Sequence, residues 1–328
     1  MMHEVHIEIG GGERLRHHLP ALRLNLACDP HGIPLGTECY EYPHGQEKQF
    51  ESVADSLGIS YAWGGGGNTS VAFIVIGTTA WILTATNGLT LVNVSDPTNL
   101  IVGLTYNLLS GFAVSQPTPS AIVGAGNALY VQNASDAAVP VLKSFFVVYD
   151  ITVPAAMTQQ GTIDLGAPTA QRAYEGNSLA LGGGTTVYSL LGGDGAVNAA
   201  QLRKIDASNP AAPVVSVGPV SVGTFADQPR KLFLLGSSLY VLSGSLASSN
   251  QKVFIYNTSL VLQNTLLIND VSAQVGLRNF YVANGVIYMM AGSGVAGNTN
   301  LVLYSTAGVF LGATTVTTGP SGLAIIGA

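Results

Sequence analysis

The chain has 328 residues, of which 47% are hydrophobic and only 9% charged, with 40 Gly, two Cys and a net charge of −6. So apolar a composition excludes an intrinsically disordered chain, and two cysteines cannot staple a fold of this length. Residues 61–328 hold nine acids and eight bases and are almost neutral, so they lack the basic footprint of a nucleic-acid binder.

Residues 1–60 differ in kind from the rest. They carry nine acids and four bases, and residues 1–44 contain all six His and both Cys. Residues 3–9 alternate polar and apolar and read as a half-buried strand, and 22–26 alternate again. Residues 29–32 have turn chemistry. Residues 46–57 predict a short helix, with Phe50, Val53, Ala54 and Leu57 on one face and Gly58 as its stop. So few large apolar side chains make residues 1–60 a small N-terminal arm that packs on something else. Residues 61–70, with four consecutive glycines, form a flexible linker. The start has no apolar core of a secretory leader, and no apolar run nears the ~20 residues of a membrane-spanning helix. A chain that is neither exported nor inserted in a membrane is expected. The four Asn-x-Ser/Thr sequons, at Asn68, Asn93, Asn133 and Asn257, read as products of a polar surface.

From residue 71 the sequence repeats. A short apolar run ending in a Gly or Asn turn is followed each time by an apolar–aromatic pair: Ala80 and Trp81, Leu129 and Tyr130, Val187 and Tyr188, Leu239 and Tyr240, Ile287 and Tyr288. Successive aromatics lie 49, 58, 52 and 48 residues apart. A third and a fourth apolar stretch complete each unit. Short strands joined by small-residue turns and repeated at this period predict four-stranded propeller blades, because one twisted sheet that is apolar on both faces can bury them only between neighbours. The fold class is therefore all-β: a β-propeller over 71–328 of five four-stranded blades, with six as the alternative, preceded by the arm. Recurrence of the aromatics at one position predicts core packing between blades rather than a sugar platform. The run at 323–328 matches the first strand of a blade. It is expected to be buried and to close the ring. Residues 22–30 faintly echo a third strand, which keeps the six-blade alternative open.

The exit of the third strand carries a resemblance. LVNVSDP at 91–97, and more loosely VYDITVP at 148–154 and IDASNP at 205–210, resemble LVIVD-repeat propellers. The resemblance implies the fold and an interaction role, and transfers no catalytic residue. Asp150 and Asp206 read as turn formers that hold the backbone leaving the strand.

In this topology the loops joining second and third strands (84–90, 132–144, 190–202, 243–252 and 291–300) and those entering each first strand open on one face. Function is expected there. Arg172, Glu175, Asp227, Arg230 and Arg278 fall in or near the entry loops and are expected to converge on the channel mouth as a site for a polar ligand, a carboxylate or a sugar, with arginines as forked donors. The alternative is that these charges pair locally. A glycan-cleaving enzyme needs paired carboxylates, for which the entry loops offer only Glu175 and Asp227. Residues 71–328 have neither His nor Cys for a paired nucleophile. No catalytic residue and no cofactor are expected. In the arm, Cys28, His31, Cys39 and His44 have a spacing that suits zinc. A Cys28–Cys39 disulfide and two unlinked cysteines are the alternatives.

The function expected is a non-enzymatic structural or interaction protein. Low charge leaves the surface open to association, and an arm, a linker and a platform suit a display module. Gly/Ala/Thr/Val/Ser-rich, Lys-poor β chains resemble phage virion proteins of the decoration or tail-fibre type. This implies a virion location (cytoplasmic if not phage-encoded), other subunits bound through residues 1–60, homo-oligomers, and a surface glycan or receptor as partner. A lectin-like propeller is the alternative.

Overall fold

The computed structural model describes residues 72–84, 88–96, 101–106, 117–135, 144–166, 178–192, 199–224, 227, 229–243, 251–268, 275–292 and 299–316. The expectations for the arm, its helix at 46–57, the linker, Cys28, His31, Cys39, His44 and residues 323–328 lie outside them.

The described residues form five four-stranded sheets, each a simple antiparallel meander. The first blade is β1 (Ala72–Ile76), β2 (Thr79–Thr84), β3 (Gly88–Asn93) and β4 (Ile101–Tyr106). The second is β5 (Pro117–Ala125), β6 (Ala128–Ser135), β7 (Ser144–Asp150) and β8 (Thr158–Gly166). The third is β9 (Ser178–Leu181), β10 (Thr186–Leu191), β11 (Ala200–Asp206) and β12 (Val214–Val222). The fourth is β13 (Pro229–Leu235), β14 (Ser238–Ser243), β15 (Gln251–Asn257) and β16 (Leu262–Ile268). The fifth is β17 (Val275–Ala283), β18 (Val286–Gly292), β19 (Thr299–Ser305) and β20 (Phe310–Val316). The first strands of successive blades pack on one another, β1 on β5, β5 on β9, β9 on β13 and β13 on β17. They are the innermost strands of a β-propeller, and the fourth strands form its rim. Among the described residues no helix is long and apolar enough to cross a membrane.

The apolar–aromatic pair opening each second strand explains the packing, because alternate side chains of a strand leave on opposite faces. Leu129, Val187, Leu239 and Ile287 each sit in the core shared with the preceding blade. Trp81, Tyr130, Tyr188 and Tyr240 sit in the core shared with the following blade. These four pack between blades as the repeat predicted, and Tyr288 is also buried but clusters within its own blade. Burial raises the hydroxyl pKa of Tyr130, Tyr188, Tyr240 and Tyr288. Polar seams add register: Gln132 donates to the Leu190 carbonyl at 3.0 Å and accepts from the Ser189 hydroxyl at 2.6 Å, and the Tyr188 hydroxyl donates to the Thr258 carbonyl at 3.1 Å.

One connection differs from the sequence-based expectation. β2 runs to Thr84 and β3 starts at Gly88, so this loop has only three residues. The turn after β9 is not the two-residue turn seen elsewhere but spans 182–185. The other first turns are tight, with positive φ at Gly77, Gly126, Gly236 and the pair Asn284 and Gly285, as a two-residue hairpin requires.

Candidate functional site at the mouth of the inner strands

The two ends of the blades have different chemistry. At the tight-turn end, Asn93, Asp150, Asp206 and Asn257 close the third strand at equivalent positions. Each side-chain oxygen accepts the backbone N–H two residues on: Ser95 at 2.9 Å, Thr152 at 2.8 Å, Ser208 at 2.8 Å and Ser259 at 3.0 Å. The Thr152 hydroxyl, donating to the same Asp150 oxygen at 2.6 Å, together with the Thr152 N–H holds the Asp150 carboxyl below its ordinary pKa, and the Ser208 N–H does the same for Asp206. They are the turn formers that the strand-exit motif predicted, and the same geometry accounts for two of the sequons, Asn93 and Asn257.

At the other end lie the loops and the candidate ligand residues. Asp227 stands between β12 and β13 and is buried. The Thr224 N–H and hydroxyl donate to its Oδ2 at 2.9 and 3.0 Å, and Lys252 Nζ donates to Oδ1 at 2.7 Å. Burial opposes ionisation, but the Lys252 and Thr224 hydrogen bonds outweigh it and hold the carboxyl below its ordinary pKa. The turn is shaped by Gly223, with φ +62°, where a β-carbon would lie 2.6 Å from the Asp227 Oδ2. Both carboxylate oxygens are thus committed to a local clamp between the blade crossover and the start of β15. Lys252, 25 residues away, was not singled out in the sequence because no local pattern links it to Asp227.

Arg230 and Arg278 share a different feature. In β13 the pairing with β14 steps from Pro229 to Lys231, passing over Arg230. In β17 the pairing with β18 steps from Leu277 to Asn279, passing over Arg278. In β5 it steps from Pro119 to Ala121, passing over Ser120. Each is a β-bulge three residues before the partner of the recurring tyrosine: Val123 for Tyr130, Phe233 for Tyr240, Tyr281 for Tyr288. Arg230 and Arg278 therefore occupy the same position on the innermost strands of adjacent blades, at the loop end. Bulges of this kind re-aim a residue and recur next to sites. Arg172 and Glu175 lie outside the described residues. No cluster of three or more His, Cys, Asp or Glu suited to a metal occurs among the described residues.

No model of a protein family matches the sequence, and no curated protein is similar to it. Similarity to solved structures is extensive in shape and low in sequence. A 6-phosphogluconolactonase candidate from Bacteroides uniformis is 14% identical with a TM-score of 0.53, over 75% of this chain and 71% of that one. A mutant of the Aleuria aurantia lectin, in complex with α-methyl-L-fucoside, is 12% identical with a TM-score of 0.52, over 78% of this chain and 80% of the lectin. At such identities the likeness establishes the architecture alone, and it agrees with the five described sheets: the chain folds as a β-propeller.

Proposed function

We propose that the protein is a non-enzymatic binding propeller whose ligand sits at the loop end of the inner strands and carries a carboxylate, as an acidic saccharide does. The observation that carries this reading is the equivalent placement of Arg230 and Arg278 at bulges on adjacent inner strands. Arginine at equivalent register positions of neighbouring blades suits a planar anion that takes forked hydrogen bonds. The lectin among the structural neighbours is a propeller bound to a sugar derivative, which supports the site class without specifying the sugar. A binding role also suits Asp227, whose oxygens are already held by Thr224 and Lys252 and so are poorly placed to act as an acid or nucleophile. The test is a glycan array of acidic and neutral saccharides with the full chain and with Arg230→Gln/Arg278→Gln. Selective binding of acidic glycans that falls at least tenfold in the double variant is expected. Equal binding of neutral glycans by both proteins refutes the site.

A second reading, membership of a larger assembly, has its own observation. Ile101, Leu104, Leu262, Leu267, Phe310 and Leu311 are exposed on the rim strands β4, β16 and β20. Assignment of such an assembly to a phage virion draws on composition, and its anchor, residues 1–60, lies outside the described residues.

A further inference from the structure

The seam between the second and third blades buries a positive charge. Arg203, on β11, is 6% exposed, and its hydrogen bonds go to neutral oxygens. It stands opposite Ser189 in the β10–β11 ladder. It therefore shares the face of the third blade from which the Ser189 hydroxyl donates to Gln132 of β6. The Arg203 Nη2 donates to the Leu165 carbonyl of β8 at 2.8 Å and to the Gln201 Oε1. A guanidinium is a rigid planar fork, so these two bonds fix the orientation of the whole group. They leave Nη1 buried without a hydrogen-bond acceptor. The other polar groups of the seam are engaged with one another: the Gln132 Oε1 takes the Ser189 hydroxyl, and the Leu190 carbonyl takes the Gln132 Nε2.

A buried charge with an unmet donor is costly. The usual escape, loss of the proton, is closed to arginine: burial lowers the pKa of Arg203, but from so high an ordinary value that the group stays charged at neutral pH. The surroundings limit what can neutralise it. On the facing blade, Phe146 lies opposite Gln132, stacks on Tyr130 at 5.8 Å and is fully buried. Ser144, 1% exposed, is two residues before Phe146 and so on the same face. It starts β7 opposite Gly166, next to the Leu165 whose carbonyl holds Arg203. We infer that this seam is a binding site for a small monovalent anion of the halide class, with the Arg203 Nη1 as its charged donor and the Ser144 hydroxyl as the second. A halide accepts hydrogen bonds from any direction and fits a place shut off from solvent, whereas sulfate or a sugar acid brings more oxygens than these two donors satisfy. The site joins the second blade to the third, and it is separate from Arg230 and Arg278 on the inner strands of the fourth and fifth.

Thermal unfolding of the full chain and of Arg203→Met, in sodium gluconate progressively replaced by chloride, bromide or sulfate at constant ionic strength, tests this together with crystals grown in bromide. Expected are a saturable rise of the midpoint with chloride and bromide, of about 2 °C or more, no such rise with sulfate, and loss of the chloride response in Arg203→Met. The anomalous signal of bromide should fall beside the Arg203 Nη1. A midpoint that rises without saturation, and further with sulfate than with chloride, reports exclusion of salt from the surface and overturns the inference. An equal chloride response in Arg203→Met overturns it as well. So do bromide crystals without an anomalous peak at Nη1, because water then serves that donor. Should Arg203→Met fail to fold, the order of the anions and the bromide position in the unaltered protein decide by themselves.

Discussion

Asp227 is held by three donors, two from Thr224 and one from Lys252, and its pKa is lowered despite burial. A carboxyl whose folded pKa lies below its unfolded value contributes stability above the unfolded value and loses it as pH falls through the folded one. Asp227→Asn should therefore cost about 2 kcal/mol at neutral pH, the usual scale of hydrogen bonds to a charged group. Its urea midpoint should converge on that of the unaltered protein as pH falls below the ordinary carboxylate range. Asp150 and Asp206 shift in the same direction but are present in both proteins, so the difference between the two curves isolates Asp227. A gap that stays constant down to low pH contradicts this role for the ion pair.

The blades as elements were readable in the sequence wherever their cause is local. The alternation in Leu129 and Tyr130 states that the two side chains leave on opposite faces of the blade, and the Asn or Asp closing the third strand is fixed by a hydrogen bond only two residues long. What could not be read has a non-local cause. The Asp227–Lys252 pair spans a hairpin, and the shared position of Arg230 and Arg278 exists only as a skipped register between strands. The close approach at Gly161 is of that second kind. It lies opposite Val148 in the β7–β8 ladder, and a β-carbon there would run into the Pro210 carbonyl and the Ala211 backbone of the next blade's exit turn. Backbone cannot yield as a side-chain tip does, so Gly161→Ala should cost about 2 kcal/mol, in the range of overpacked cores. Gly103, on the rim strand β4, is the control. A β-carbon there meets Leu91 at an ordinary 3.6 Å, so Gly103→Ala should leave the thermal midpoint unchanged or slightly raised. Equal effects of the two substitutions would show that the seam between the second and third blades is looser than its geometry.

For the whole molecule, the rim matters most, because among the described residues it is where each sheet ends without a further paired strand. The five rim strands contain a single charged residue, Asp164, whereas natural edge strands commonly carry lysines or other charges that block pairing with another chain. Residues 61–328 add a net charge of only −1, so long-range repulsion does little to keep copies apart. Leu262 and Leu311 are 49% and 52% exposed on β16 and the neighbouring β20, and their burial between molecules would be driven by apolar area rather than charge. Concentration-dependent self-association is the expected behaviour, weakened neither by salt nor by modest changes of pH. Leu262→Lys combined with Leu311→Lys should shift sedimentation toward the monomer and leave the unfolding midpoint within about 0.5 kcal/mol, the usual effect of surface substitutions. Association that dissolves at high salt would instead assign the contact to charged groups outside the rim. A chain that remains monomeric at every concentration would remove the assembly reading and leave the mouth of the inner strands as the candidate functional site among the described residues.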